Sequence, residues 1–274
     1  MSATPAVRSA ASADRGLGER SPRVLVSRIV TFCLVELRKI SHDRVELYTR
    51  AIQPALWLII FGETFTRIHA IPTGNLPYLD YLAPGVMAQS ALFIAIFYGI
   101  QIIWERDFGI LTKLLATPTP RAALVTGKAF AAGVRAISQV IVVLVLSAIL
   151  GVTFDWNPLH ILGAVAAVVL GSVFFSTLSM TIAGLVLTRE RLMGIGQAIT
   201  MPLFFASNAL YPASIMPVWV RGVALLNPLS YEVNALRTLL VGTPGNLLVD
   251  FGALIVAALV GIVAASALLG RLAR

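Results

Sequence analysis

Trp104-Glu105-Arg106-Asp107-Phe108-Gly109-Ile110-Leu111-Thr112-Lys113-Leu114-Leu115-Ala116-Thr117-Pro118-Thr119-Pro120-Arg121 is the one long charged stretch set between two strongly apolar ones. Acidic side chains at 105 and 107 suit the positive end of a helix, so Glu105 to Asp107 are expected to form its first turn. Apolar residues then recur at 108, 110, 111, 114 and 115, which puts one greasy face on a short amphipathic helix. Thr117-Pro118-Thr119-Pro120 ends it, because each proline lacks an N–H and biases its predecessor away from helix. A short helix hung between two spans contributes little inside a membrane. Its shape is that of an element gripped by a partner in water.

The rest of the chain is built for lipid. It has 274 residues, 58% hydrophobic and 12% charged, whereas a soluble domain carries roughly 25% charge. Mean hydropathy is +0.86. A net charge of +8 would suggest nucleic acid in a soluble protein; here it reads as a topology signal, with no nucleic-acid partner expected. One cysteine, Cys33, excludes an internal disulfide and a thiolate metal cluster. His42, His69 and His160 make no ligand pair at helical spacing, so no metal site is expected. Gly127-Lys128-Ala129 mimics the end of a Walker A motif but lacks both the upstream glycine and the final hydroxyl residue. This chain is therefore expected to be no enzyme, with no cofactor of its own and no ATP hydrolysis by itself.

Working outward, residues 1–21 read as a disordered tail rich in Ala, Ser, Arg and Gly. Residues 22–50 read as an amphipathic helix lying in the cytoplasmic interface, with Val26, Ile29, Val30, Cys33 and Leu37 on its apolar face. The membrane domain, 51–274, is expected to hold six transmembrane helices. They run at about 51–68, 86–103, 122–152, 159–187, 193–210 and 249–269. Arg135 interrupts the third, and is expected to snorkel at the inner boundary of a helix that extends into the cytoplasm. Gly163, Ala167 and Gly171, and again Ala253, Ala257, Gly261 and Ala265, make small-residue faces for close helix packing.

Between spans five and six, Pro212 and Pro217 break the chain, and 218–226 can form one short helix. Asn227 then caps a second with Pro228 at its first position, and Gly242-Thr243-Pro244-Gly245 ends it. Two short helices there read as re-entrant and shielded by protein. Nine of the 21 basic residues lie in residues 1–50, which places that end, and by span count both termini, in the cytoplasm. The class is all-α: six spans, one interfacial helix and two re-entrant helices.

Three motifs carry a resemblance over nearly the whole chain. Tyr81-Leu82-Ala83-Pro84-Gly85, then Glu105-Arg106 with Gly109 and Leu114-Leu115-Ala116-Thr117-Pro118, and last Asn208-Ala209-Leu210-Tyr211-Pro212 through Asn227-Pro228-Leu229-Ser230-Tyr231 to Arg237, resemble the permeases of ABC-2-type transporters. The Ser207-to-Pro212 run is most similar to the drug-resistance permeases of the daunorubicin type. Ile110 departs from the threonine common after the coupling glycine, which bears on the subgroup more than the family.

The resemblance implies a membrane subunit of an exporter in a bacterial-type cytoplasmic membrane. It would work with an ATP-binding cassette ATPase subunit, which binds ATP and Mg, and with a second permease copy. The loop of Glu105, Arg106, Phe108, Gly109, Leu111, Leu115, Pro118 and Arg121 would be the coupling helix. Its face of Phe108, Leu111 and Leu115 would enter a groove on the ATPase, with Glu105 and Arg106 paired at the rim. A path between two permeases would draw on spans one, two and five, making Gln53, Glu63, Gln89, Tyr98, Ser207 and Asn208 candidate lining residues. Pro212, Asn227, Pro228 and Tyr231 belong to the re-entrant signature. Apolar spans with scattered amides and hydroxyls suit an amphiphilic drug or antibiotic-like cargo. The alternatives are export of a lipid-linked glycan or lipo-oligosaccharide, and a secondary transporter, for which the chain lacks a visible internal repeat.

Overall fold

The structure, a computed structural model, describes residues 22–42, 44–68, 71–74, 76–116, 120–186 and 188–272. The expected tail at 1–21, both chain ends and Pro118 lie outside them. Every regular element among the described residues is helical. In chain order they are α1 (Pro22–His42), α2 (Arg44–Leu56), a π-helical segment (Trp57–Gly62), α3 (Glu63–Ile68) and α4 (Tyr78–Asp107). There follow α5 (Ile110–Ala116), α6 (Arg121–Ile149), α7 (Pro158–Val186) and α8 (Arg189–Phe205). A 3₁₀ turn (Ala213–Ile215), α9 (Val218–Leu226), α10 (Pro228–Leu240) and α11 (Leu247–Leu272) complete the chain.

Four helices, α4, α6, α7 and α11, are long and apolar enough to cross a membrane. They match expected spans two, three, four and six, but begin or end differently. The second starts at Tyr78 rather than 86, because Pro84 falls in the second turn of α4 instead of ahead of it. The fifth expected span is the 17-residue α8, which ends at Phe205, short of the predicted 210. At 1.5 Å per residue that is about 26 Å of helix. The first is a run of three consecutive helical pieces from Arg44 to Ile68, so its beginning lies seven residues before the predicted 51 and takes in what was read as the end of the interfacial helix.

α7 is the hub, packing on α4, α6, α10 and α11. Its small-residue face explains how. Gly163 lies against Leu239 and Gly171 against Glu232, both on α10, while Ala167 is fully buried between them. Gly261 of α11 in turn lies against Thr177 of α7. Both small faces therefore admit close helix approach as their spacing predicts. α7 and α10 also start alike: Asn157 and Asn227 each accept the backbone N–H two residues on, at 3.0 Å, ahead of a proline in the first turn.

α1 packs on α6 through only part of the face read from the sequence, Ile29 and Cys33. Val26, Val30 and Leu37 are exposed, and the inward stripe is Ile29, Phe32, Cys33 and Glu36. The cause is electrostatic: Glu36, 1% exposed, meets Arg135 of α6 at 2.7 Å and accepts the Tyr98 hydroxyl at 3.3 Å. Arg135 thus does not reach for the boundary alone. It is a partly buried partner that rotates α1 so that the Glu36 carboxylate faces inward and leaves a second apolar stripe outside.

Candidate functional site

The corner between α4 and α5 differs from the expected amphipathic helix. Glu105, Arg106 and Asp107 close α4 instead of opening the next helix. Phe108 is the C-cap, and Gly109 takes φ +68°, the left-handed value that lets the chain turn after α4. Space around a Gly109 Cβ is open, so within this chain the glycine is needed for its backbone angle and not for close approach. The short helix expected between the two spans is then the seven residues of α5.

Three carboxylate or apolar assignments change with that shift. Acidic residues at a helix C-terminus face the negative end of its dipole, so each here has a cation. Glu105 pairs with Lys128 of α6, not with Arg106, and Lys128 is itself buried. Asp107 pairs with Arg106 at 2.8 Å and Arg189 of α8 at 3.1 Å. Arg189 also lies 4.0 Å over the Trp104 ring. Leu111 is 0% exposed and sits in the apolar cluster with Ile103, Leu124 and Leu192, so it anchors α5 to the bundle and offers nothing to a partner. The apolar side chains presented outward are Phe108, 68% exposed, with Ile110 and Trp104. Leu115 lies on the α5 backbone, its side chain outside what is described. Arg121 opens α6 with its guanidinium against Gly270 of α11.

The result is an exposed aromatic tip braced by ion pairs to α6 and α8. It joins a second ionic layer, because Lys128 lies 5.9 Å over the Phe32 ring of α1 and Arg135 5.7 Å over Tyr98. Glu36, Lys128, Asp107 and Arg189 were not among the expected site residues. The available signal was one carboxylate, Glu36, on the same helical face as Phe32 and Ile29, four and seven residues before it, together with two cations inside the apolar α6. Such groups need partners when buried.

At the other end of α4 the family-like motifs converge. Arg237 of α10, 5% exposed, donates to the carbonyls of Tyr81 at 3.1 Å, Asn208 at 2.7 Å and Ala209 at 3.0 Å, and stacks 3.5 Å from the Tyr81 ring centroid. The Tyr81 and Tyr78 hydroxyls donate to Asn208 and Leu210 carbonyls, both at 3.1 Å. Gly85 is required because a Cβ there would overlap the Ala209 carbonyl. Asn208 donates its amide to Asn234, and Asn227 reaches back to the Leu203 carbonyl at 2.6 Å. The Tyr231 hydroxyl holds Leu225 at 2.7 Å, and Pro212 leads into the 3₁₀ turn. Motifs far apart in sequence form one clasp. Glu232, fully buried beside Gly171, has no hydrogen-bond partner among the described residues for either carboxylate oxygen.

The six path candidates do not gather on one surface of the chain. Ser207 and Asn208 belong to the clasp, Tyr98 to the ionic layer, and Gln89 is buried within α4. Glu63 is exposed and faces Arg67 one turn on, at 3.9 Å. Gln53 lines a cavity between α2, α4 and α6.

The family model described as ABC-2 type transporter matches residues 28–241. The putative transport permease ycf38 of Cyanophora paradoxa is 30% identical over 223 residues, covering 76% of this chain and 73% of its own. The daunorubicin resistance ABC transporter permease protein DrrB1 of Streptomyces coeruleorubidus is 25% identical, over 83% of this chain and 80% of its own. Nodulation protein J of Rhizobium leguminosarum bv. viciae is 26% identical, over 71% and 75%.

Proposed function

The chain belongs to the ABC-2 type transporter family, and from that premise we propose that it is the membrane permease subunit of an ATP-driven exporter of an amphiphilic drug or antibiotic-like molecule. Hydrolysis belongs to a separate ATP-binding cassette subunit, which holds ATP and Mg, and two permease copies complete the complex. The observation that carries this reading is the braced tip: Phe108 and Ile110 stand exposed at a corner whose charges are already paired within the chain. A partner binding there meets a rigid apolar knob. Any conformational response needs such a differential contact.

The relative named for daunorubicin resistance supports a drug cargo. The relatives named for nodulation stand beside it, and keep export of a lipid-linked glycan as the second reading. Co-expression with the cognate ATPase is expected to lower cellular accumulation of a planar or cationic amphiphilic drug. Unchanged accumulation across a broad panel, with a surface glycolipid missing from the deletion strain, replaces drug by glycan.

The six-span arrangement, with α9 and α10 re-entrant and the α4–α5 corner and both termini cytoplasmic, is part of the same proposal. It rests on the distribution of basic residues. In a Cys33→Ser background, a cysteine at Asn246 is expected to react with a membrane-impermeant thiol reagent on intact cells, and one at Lys113 is not. The opposite pattern inverts the topology.

A further inference from the structure

The outward face of α11 ends in two arginines. Val256, Val260, Val263 and Ala267 are exposed and follow one another at three- or four-residue spacing, so they form one stripe along the helix. Arg271, four residues after Ala267, continues that stripe and is exposed as well. Arg121, exposed at the start of α6, lays its guanidinium on Gly270, which flanks the same stripe; a Cβ at Gly270 would stand 2.5 Å from Nη1. Two planar cations thus crown one apolar stripe.

Neither arginine makes an ion pair or a hydrogen bond with a described residue. The Arg121 guanidinium therefore does not give its donors to the last carbonyls of α11, the usual use of a cation at a helix C-terminus. The acids that close α4 are already taken, Glu105 by Lys128 and Asp107 by Arg106 and Arg189, and Glu190 of α8 reaches neither arginine. Depth fits as well. α11 carries no charge from Phe251 to Leu269, about 28 Å of helix at 1.5 Å per residue and close to one hydrocarbon core. Gly270 and Arg271 fall where hydrocarbon gives way to headgroups.

We propose that this end of α11 is a binding site for an anionic diacyl phospholipid. Its phosphate sits at Arg121 and Arg271, and an acyl chain lies along Val256, Val260, Val263 and Ala267. Guanidinium groups offer forked N–H donors that match phosphate oxygens. A free phosphate or an acidic protein surface fits the cations but leaves the stripe bare; a lipid matches both. By the topology proposed above the lipid belongs to the cytoplasmic leaflet. Inverted thiol labelling at Lys113 and Asn246 would change the leaflet and leave the site standing.

The test uses the full-length permease with its ATPase subunit in detergent, with native mass spectrometry reading retained lipid. Dioleoylphosphatidylglycerol is titrated beside dioleoylphosphatidylcholine, which has the same chains and phosphate but no net charge. Wild type is expected to retain the anionic lipid preferentially. Arg121→Gln and Arg271→Gln are each expected to weaken its retention about fivefold, and the double variant about thirtyfold, the scale of cations near a membrane surface. Retention of phosphatidylcholine stays unchanged. Gly270→Ala pushes the guanidinium off α11, and is expected to weaken retention in wild type but not in Arg121→Gln.

Arg191 of α8 is the control for diffuse charge. It is exposed, unpaired among the described residues and at the same end, since Leu192 and Leu269 share one apolar cluster. Arg191→Gln is expected to retain the lipid as wild type does. Equal loss in Arg191→Gln, no preference in wild type, or wild-type retention in the double variant overturns the site. Displacement of the lipid by glycerol 3-phosphate makes it a free-anion site and overturns the proposal. Loss of the ATPase subunit from the double variant, with lipid retention unchanged, assigns the arginines to that partner instead. Efficient disulfide cross-linking of two copies through Val263→Cys, in a Cys33→Ser background, puts a second permease on the stripe and likewise overturns it.

Discussion

Arg237→Met is expected to leave little folded permease in the membrane. The side chain is nearly the same length and apolar, so it occupies the space, but it leaves the carbonyls of Tyr81, Asn208 and Ala209 without their donor. Each orphaned buried acceptor costs about 1–3 kcal/mol, so leaving three carbonyls without this donor costs about 3 kcal/mol or more. That is a large part of the ~5–15 kcal/mol by which domains are stable. The cost falls where α4, α10 and the chain after α8 meet, so α10 is expected to come loose first. Arg237→Lys keeps the charge but not the planar fork, and should recover only part of the loss. Membrane yield and the melting temperature of the purified protein read the effect. Wild-type values for Arg237→Met would show that the clasp is not what holds α10.

The second large effect is at the tip. Gly109→Val forces a β-branched residue into φ +68°, a conformation such residues avoid, with nothing nearby for the new side chain to pack on. The turn must open, which withdraws Leu111 from its apolar cluster and displaces Phe108 and Ile110 together. Export and substrate-stimulated ATPase activity of the reconstituted complex are expected to be lost while surface expression stays near wild type. Coupling retained in this variant would sink the docking proposal.

Glu105→Ala is expected to give a similar loss for a different reason. It strands Lys128 in a buried position, and breaking a buried pair from one side costs roughly 3–5 kcal/mol locally. The double variant Glu105→Ala/Lys128→Met removes both charges and should restore coupling if the pair is a brace. Failure of the double variant, with expression intact, would show that Glu105 itself touches the ATPase.

Much of the secondary structure was legible locally. Proline at 228 after an asparagine, the stop at Gly242 to Gly245 and long apolar runs are short-range signals, each with its own physical cause. The small-residue faces of α7 and α11 were also legible, since four-residue spacing alone places them on one side of a helix. The boundary at Glu105–Asp107 was not. Acidic residues ordinarily suit a helix start, and here that local preference is overridden by cations brought in by α6 and α8.

Which face turns inward was likewise outside the reach of periodicity. α1 has apolar residues on two sides, and its rotation is decided by Arg135, which lies on another helix and becomes the partner of Glu36 only after packing. The same holds for Leu111, whose spacing fits a docking face and an anchoring face equally well. Chain length, apolar character and the helix start at Asn227–Pro228 are properties of neighbouring residues, and the sequence by itself determined them. The pairing of Glu36 with Arg135, the three carbonyls gathered by Arg237 and the bond from the Gln139 amide to the Arg50 carbonyl depend on groups distant in the chain, and only the tertiary structure decided them, because a buried charge or amide takes its partner from whichever helix packs beside it.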